Sequence, residues 1–146
     1  MNQVVLSLDI GGTWIKGATY SCEELSDAYL RHTLPQALKT AKRESHLAAP
    51  FTIYDFLAAL KELIKELLST RTELCSIAIS TAGVVDYAGK RIKFVAPHLS
   101  SLKDTVWVEW LKNEFDVPVT LINDANATML GAASLGYLNG LKTIGV

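Results

Sequence analysis

The sequence has few cysteines, no excess of either charge and no long apolar run. Its two cysteines, Cys22 and Cys75, are far apart in 146 residues and lack metal-ligand spacing, so we expect neither a zinc site nor a disulfide scaffold. The net charge of −1 provides no general attraction for nucleic acid or an anionic membrane. No apolar run approaches the ~20 residues of a membrane span, and the first residues do not resemble a signal peptide. We therefore expect a cytoplasmic protein with no nucleic-acid or membrane partner.

What the sequence does have is enough apolar content for one buried core. Hydrophobic residues make up 49% of the chain, and its length is that of one ordinary domain. The first part predicts strands over 4–9 and 14–20 joined by a hairpin turn, and a third strand over 26–34. We expect residues 35–50 to be irregular, because prolines stand at both ends.

The rest of the chain alternates between helix and strand patterns. Apolar residues recur at helical spacing over 53–68, and Thr52 and Asp55 at the start have the spacing of a capping box. The following elements are a strand over 74–80, short strands over 84–85 and 91–95, a helix over 103–115, a strand over 117–122, a helix over 124–138 and the opening of a strand over 143–146. This order predicts an α/β fold with a mixed sheet, antiparallel at one edge and parallel where helices connect the strands.

The segment Asp9-Ile10-Gly11-Gly12-Thr13 directly follows the first apolar strand. Glycines let backbone N–H groups come close to a phosphate, because no Cβ stands in the way. A carboxylate at a strand end can hold a hydrated magnesium ion, and the Thr13 hydroxyl can bond a phosphate oxygen. Taken alone, the segment is equally compatible with a tight β-turn that contains an acidic residue.

Polar loops follow three of the predicted strands, at residues 9–13, 80–83 and 123–126. In open α/β sheets, ligands bind outside the carboxyl ends of the strands. If the three strands run parallel, their loops face one crevice. This convergence is stronger evidence for a binding site than any single loop.

Asp124 is the best catalytic candidate, because it follows a strand and starts a helix whose N-terminus favours an ionised carboxylate. An ionised Asp in a crevice can accept the proton of an attacking hydroxyl, and Asn123 can hydrogen-bond neighbouring hydroxyls of the same substrate. By position alone, the commoner role of either residue is to cap the helix. Gly83 would let a substrate ring lie against the backbone, or would serve only as a turn glycine. His98 precedes a helix, where it either reaches a ligand or, more commonly, has a structural role.

Three motifs together resemble the ROK family of sugar kinases and transcriptional repressors. They are Asp9-Ile-Gly-Gly-Thr13-x-x-Lys16, Ser80-Thr-Ala-Gly83-Val-Val-Asp86 and Ile122-Asn-Asp-Ala-Asn126. The resemblance extends over essentially the whole chain and implies the ribonuclease H-like fold of the actin and hexokinase superfamily. The third motif argues against an acetate-kinase-like or actin-like ATPase.

The resemblance implies ATP-dependent phosphorylation of a hexose or hexosamine hydroxyl, with Mg²⁺ as the metal and a small-molecule sugar as the partner. Asp9, Gly11, Gly12 and Thr13 match the family's first phosphate motif. In that motif, Asp9 would hold the Mg²⁺ ion through water.

On the sugar side, Asn123 and Asp124 match the family's sugar-binding pair, with Asp124 as the catalytic base, and Gly83 matches a glycine near the sugar. Three positions depart from the pattern. Ala82 stands where the family often has proline, His98 where many members have a sugar-contacting asparagine, and Ala132 where an acidic residue usually follows. The identity of the sugar therefore stays open among glucose, N-acetylmannosamine, N-acetylglucosamine and β-glucosides.

The resemblance also implies a longer protein, since a family member continues for about as long again. We expect residues 1–138 to form an N-terminal sugar-kinase domain and residues 139–146 to begin a second, nucleotide-binding domain that is missing. The family's zinc-binding segment and the main surface for homodimers belong to that missing part. The 146-residue chain is therefore expected to lack substantial kinase activity alone.

The alternative is the sugar-sensing domain of a ROK-type transcriptional regulator, which binds sugar without phosphorylating it. Repressors of the family carry a DNA-binding helix-turn-helix before the first motif, whereas that motif starts at Asp9 here. This position and the presence of Asp124 favour the kinase.

Overall fold

The computed structural model describes residues 2–48, 50–88, 90–103 and 105–137. The expected domain boundary at 138–139 and the expected strand over 143–146 lie outside these residues. The strands are β1 (Asn2–Ile10), β2 (Trp14–Ser21), β3 (Lys39–Glu44), β4 (Thr72–Thr81), β5 (Val84–Asp86), β6 (Arg91–Phe94) and β7 (Val119–Asn123). The helices are α1 (Cys22–Arg31), α2 (Ile53–Leu67), α3 (Trp107–Phe115) and α4 (Asp124–Ser134), with a 3-10 helix over Pro97–Leu102. Within the described ranges, no helix is long and apolar enough to cross a membrane.

A five-stranded sheet in the order β3-β2-β1-β4-β7 forms the centre of the fold. β2 pairs antiparallel with both β1 and β3, whereas β4 pairs parallel with both β1 and β7. The predicted α/β fold, with a mixed sheet and an antiparallel edge, is therefore confirmed. β5 and β6 form a separate antiparallel pair.

One face of the sheet is buried under α2 and α3. Alternate residues of the central strands, such as Leu6 and Ile77, join apolar residues of both helices in one cluster, because successive side chains of a strand point to opposite faces. Phe56 of α2 packs against Trp107 of α3 with ring centroids 5.5 Å apart and an interplanar angle of 89°. This edge-to-face contact joins the two helices above the sheet.

The helix α2 confirms the capping residues and the apolar spacing read from the sequence. The Asp55 carboxylate accepts hydrogen bonds from the Thr52 N–H at 2.6 Å and the Thr52 hydroxyl at 2.8 Å. These hydrogen bonds lower the pKa of Asp55, so their stabilising effect is present at neutral pH and is lost as the pH falls through that lowered value. A Cβ on Gly17 of β2 would lie 2.4 Å from Leu67 Cδ1, so this glycine lets the end of α2 sit close to the sheet.

The third strand expected over 26–34 is wrong, because α1 occupies most of that segment. The Ser21 hydroxyl accepts a hydrogen bond from the Glu24 N–H at 3.0 Å, and Glu23 and Glu24 lie in the first turn. A polar N-cap followed by acidic residues favours a helix start. Ala28 is the buried residue of α1, so the helix has no wide apolar stripe that would have revealed its period.

The irregular chain expected over 35–50 contains the edge strand β3. Its side chains are mostly exposed, so the alternation of apolar and polar residues that indicates a strand is absent. The Lys39 ammonium contacts the backbone carbonyl of Glu66, and the Arg43 guanidinium pairs with the Glu66 carboxylate at 2.8 Å. These contacts with α2 and the pairing with β2 hold the strand in place.

The helix expected over 103–115 is shorter in the structure, since α3 begins at Trp107.

Replacing Phe56 with alanine tests the packing of α2 on α3. Phe56 is fully buried, so Phe56→Ala is expected to lower the free energy of unfolding by about 3–5 kcal/mol, since it removes a large apolar side chain and leaves a cavity. Tyr54→Ala is the matched control on the same helix, because Tyr54 is 78% exposed and its loss should change stability by at most about 0.5 kcal/mol. Urea unfolding followed by circular dichroism measures both, and equal effects would contradict the packing described.

Candidate functional site

Asp9 and Ser80 lie side by side at the carboxyl ends of neighbouring parallel strands. Asp9 of β1 is in register with Ser80 of β4, which is in register with Ile122 of β7. One residue further, Thr81 of β4 is in register with Asn123. The Ser80 hydroxyl donates a hydrogen bond to Asp9 Oδ1 at 2.9 Å. The three polar loops therefore leave the same edge of the sheet, as the sequence predicts if these strands are parallel.

The glycine turn between β1 and β2 is held in part by a residue outside the motif. The Gly11 N–H donates to the Trp14 carbonyl at 2.9 Å and closes the turn. Ser45 is fully buried; its hydroxyl donates to the Gly12 carbonyl at 2.6 Å and its N–H to the Thr13 carbonyl at 2.9 Å. The Thr13 side chain remains exposed. Sequence reasoning missed Ser45 because it lies far along the chain, in a segment expected to be irregular.

Asn123 connects two of the three loops. Its Oδ1 accepts hydrogen bonds from the N–H groups of Ala125 at 3.0 Å and Asn126 at 3.2 Å, so the residue caps α4. Its Nδ2 donates to the Gly83 carbonyl at 2.7 Å. The capping alternative is therefore correct for Asn123. It is compatible with ligand contact, because an amide nitrogen carries a second N–H and an amide oxygen accepts more than one hydrogen bond.

Asp124 begins α4, and its side chain is exposed. Its Oδ1 accepts a hydrogen bond from the Ala125 N–H at 2.8 Å, which places the carboxylate at the positive end of the helix dipole. In the same first turn of α4, Asn126 Nδ2 donates to the Tyr87 hydroxyl at 2.9 Å. This bond brings the loop between β5 and β6 to the start of α4, and sequence reasoning did not single out Tyr87.

Gly83 has a conformation that requires glycine. Its φ is +110°, and an added Cβ would lie 2.5 Å from the Phe94 carbonyl oxygen and 2.9 Å from Val95 Cγ1. Gly83 therefore has the structural role of a turn glycine, because its backbone conformation and the nearby atoms exclude a side chain. Since the Gly83 carbonyl is bonded to Asn123, the same backbone also lies at the edge of the candidate site.

Two cavities include residues of the first motif, one of them Asp9 and the other Gly12 and Thr13. One of about 550 Å³ lies on the sheet face opposite the core and is lined by Ser7, Asp9, Lys16, Gly17, Ala18, Thr40, Ala41 and Lys42. The other, of about 240 Å³, is lined by Gly12, Thr13, Glu44, His46, Leu47, Ala48 and Phe51. Neither lining includes Gly83, Asn123 or Asp124. His98 lies in the 3-10 helix, and its side chain falls outside the described part of the chain.

This edge combines two exposed carboxylates, a glycine turn and a helix N-terminus. A hydroxyl bound near Asp124 would have a proton acceptor beside it. Phosphate oxygens near the turn would meet the Thr13 hydroxyl. Among the residues the structure describes, no group of three or more His, Cys, Asp or Glu side chains is placed to hold a metal ion.

Residues 5–144 match the sequence profile of the ROK family. The chain belongs to the ROK family. The resemblance carried by the three motifs is therefore confirmed, and the mixed sheet is that of the sugar-kinase fold found in its structural relatives. No curated protein matches the chain.

Several solved structures share this fold. Lmo2764 of Listeria monocytogenes, for which N-acetylmannosamine kinase activity has been proposed, is 25% identical with a TM-score of 0.69 over 94% of this chain. A ROK family glucokinase of Streptomyces griseus, solved with glucose and AMPPNP, is 23% identical with a TM-score of 0.70 over 94%. A ROK family transcriptional regulator homologous to the E. coli MLC protein is 18% identical with a TM-score of 0.69 over 90%.

This chain spans only part of each of these structural relatives. It covers 41% of the Listeria protein, 38% of the Streptomyces glucokinase and 30% of the regulator. Kinases and a regulator share the fold, so the fold alone does not separate the two functions.

Replacing Gly83 with alanine tests the conformational demand at this edge. Gly83→Ala is expected to lower the free energy of unfolding by about 2–4 kcal/mol, since a Cβ there is strained and overlaps β6. Gly131→Ala is the control, because no atom lies within 4 Å of its added Cβ; inside α4 it should raise stability by about 0.5–1 kcal/mol. Urea unfolding measures both, and opposite signs are expected. If Gly83→Ala left the free energy of unfolding unchanged, the backbone conformation described for Gly83 would be contradicted.

A pair of substitutions at Asn123 separates its two hydrogen-bonding roles. Asn123→Ala removes the cap and the bond to Gly83, and is expected to cost about 2 kcal/mol in unfolding free energy. Asn123→Ser keeps a capping oxygen and loses the donor to the Gly83 carbonyl, so it should cost about half as much. Thermal unfolding of both variants checks the order. If Asn123→Ser were as damaging as Asn123→Ala, capping would not be a separate contribution.

Proposed function

We propose that this chain is the N-terminal, sugar-binding part of an ATP-dependent kinase that phosphorylates a hydroxyl of a hexose or hexosamine. The observation that carries the proposal is the common edge of β1, β4 and β7, where Asp9, Gly83, Asn123 and Asp124 come together in a ROK family chain. The proposed kinase activity belongs to a longer protein, since this chain spans 41% of one structural relative and 38% of another.

On the sugar side, Asp124 is the proposed catalytic base. Its exposed carboxylate would take the proton of the sugar hydroxyl while that hydroxyl oxygen attacks the terminal phosphorus of ATP; the bond from this phosphorus to the bridging oxygen breaks, and ADP leaves. Asn123 binds a neighbouring hydroxyl, and its bond to the Gly83 carbonyl at 2.7 Å keeps the two loops at a fixed separation. The Gly83 backbone then supplies a surface for the sugar ring, and His98 is proposed to contact the sugar from the 3-10 helix.

On the phosphate side, Gly11, Gly12 and Thr13 form the proposed phosphate-binding turn. Ser45 fixes the carbonyls of this turn, which makes the turn rigid before the nucleotide binds. Asp9 fits a hydrated Mg²⁺, because it is exposed and its Oδ1 is already oriented by Ser80 at 2.9 Å. When bound, that ion neutralises charge on the phosphates.

A second candidate function is a sugar sensor in a transcriptional regulator. It is supported by the ROK regulator among the structures that share this fold. Both functions need the sugar side of the edge, but only the kinase needs Mg²⁺ with ATP at the glycine turn. A cytoplasmic location and a homodimer of the longer protein also remain proposals.

Ligand-induced thermal stabilisation of the 146-residue chain tests the kinase proposal. Glucose, N-acetylglucosamine and N-acetylmannosamine are added in one series and ATP with MgCl2 in another. Ligand at roughly tenfold excess over its Kd should raise Tm by ~3–6 °C. We expect a rise with at least one sugar and a smaller rise with Mg²⁺ and ATP, because the glycine turn is only one part of the nucleotide site. A sensor would respond to sugar alone. A response to neither would contradict both functions.

Two variants test whether the rises in Tm come from binding at the proposed phosphate and sugar sides of the site. Thr13→Val should reduce the rise with Mg²⁺ and ATP and leave the sugar response unchanged, because it removes only the hydroxyl of the phosphate turn. Asp124→Ala should do the reverse. A coupled assay for ADP release should show negligible turnover by this chain, and robust turnover would overturn the claim that the site is incomplete here.

A further inference from the structure

The face of the sheet opposite the core carries two lysines that lie directly beside each other. Asp9 of β1 is in register with Lys16 of β2, and Lys16 is in register with Lys42 of β3. Residues in register on antiparallel strands have Cα atoms roughly 5 Å apart, and their side chains lie on the same face. Like charges in such a pair destabilise a sheet, so the two ammonium groups repel each other unless an anion lies between them.

A row of small side chains next to the lysines leaves room for a ligand. Ser7, Ala18 and Thr40 are in register across the same three strands, two residues along from the lysine row. Because successive side chains of a strand alternate between faces, the two rows share one face. The Ser7 and Thr40 hydroxyls and both lysines line the cavity of about 550 Å³ on this face.

Both ammonium groups are available to a ligand. Lys16 and Lys42 are exposed, and within the described ranges the ion pairs shorter than 4 Å involve other lysines and arginines. The Lys42 ammonium lies 4.7 Å from the centre of the Trp14 ring. This cation–π contact favours one position of the ammonium group and leaves its charge intact.

We propose that this cavity binds a phosphate anion between Lys16 and Lys42, with the Thr40 and Ser7 hydroxyls as further donors. Ammonium and hydroxyl groups donate the hydrogen bonds that phosphate oxygens accept, and those from ammonium groups are strengthened by charge. The bound anion also removes the repulsion between the two lysines. An inorganic phosphate chain and the phosphate chain of a nucleotide share this chemistry, and the experiment below distinguishes them.

The charges of the lining place the anion on the β2–β3 side of the cavity. Asp9 is the carboxylate of the lining and lies beyond Lys16, on β1. With two ammonium groups against this carboxylate, the lining has a net positive charge, and the region between Lys42 and Thr40 is farthest from Asp9. The glycines and the threonine of the proposed phosphate turn are not in the lining, so the proposal does not rest on the kinase activity.

Isothermal titration calorimetry of the 146-residue chain at low ionic strength and without Mg²⁺ tests the site, with pyrophosphate as the inorganic probe and ATP as the nucleotide probe. We expect pyrophosphate to bind. Lys16→Gln and Lys42→Gln should each raise its Kd roughly fivefold or more, because each removes a charged hydrogen-bond donor. Added NaCl should also raise the Kd, since it screens exposed charges. Binding of ATP with the same dependence on both lysines would show that a nucleotide's phosphates fit the cavity, whereas no binding of ATP would assign the site to free inorganic phosphate; both results support the site.

Two further variants provide the controls, and circular dichroism checks that every variant is folded. Lys112→Gln is matched in charge, because Lys112 is an exposed lysine of α3 outside the cavity. Thr13→Val alters the proposed phosphate turn. Both variants should bind pyrophosphate with an unchanged Kd.

The proposal would be overturned if the unsubstituted chain did not bind pyrophosphate, or if both cavity variants bound it as tightly as the unsubstituted chain. It would also be overturned if Lys112→Gln weakened binding as much as Lys16→Gln, since the attraction would then come from the overall charge. Weaker binding in Thr13→Val alone would assign pyrophosphate to the glycine turn, which would overturn this proposal and leave the kinase proposal standing.

Discussion

The parallel register of β1, β4 and β7 is the constraint on which the candidate site depends. It sets Asp9 beside Ser80 and Thr81 beside Asn123, so residues from distant parts of the sequence share one edge. The register in turn depends on the buried face, where a shift of one residue would turn every apolar side chain away from α2 and α3. The same packing that stabilises the domain therefore positions the polar loops.

Several residues of this edge have a structural role that does not compete with a functional one. Asn123 caps α4 and binds the Gly83 carbonyl, and Gly83 has a backbone conformation that a side chain would strain. Ser80 orients the Asp9 carboxylate. These bonds preorganise the loops, so a ligand would meet groups already fixed in place and less conformational entropy would be lost on binding. A side chain that caps a helix can also contact a ligand, because an amide has further donor and acceptor capacity.

The sequence alone predicts the elements that have a periodic apolar pattern or a recognisable loop motif. β1, α2 and the convergence of the three loops could be predicted because buried strands, an apolar helical stripe and glycine-rich or polar loops each leave a local signal. α1 and β3 could not. α1 buries little and is set by its cap at Ser21, while β3 is exposed and held by contacts with Glu66 and by pairing with β2. The hydrogen bonds of Ser45 with the glycine turn arise only from tertiary structure, so no local pattern predicts them.

The most direct measurement is a crystal structure of the chain grown with the sugar that raises its Tm most, at a concentration well above its Kd. The account predicts this sugar at the edge between the Gly83 backbone and the start of α4, with one sugar hydroxyl within about 3 Å of the Asp124 carboxylate and another bonded to Asn123. The sugar in the cavity lined by Ser7, Lys16 and Lys42, with none near Asp124, would contradict it.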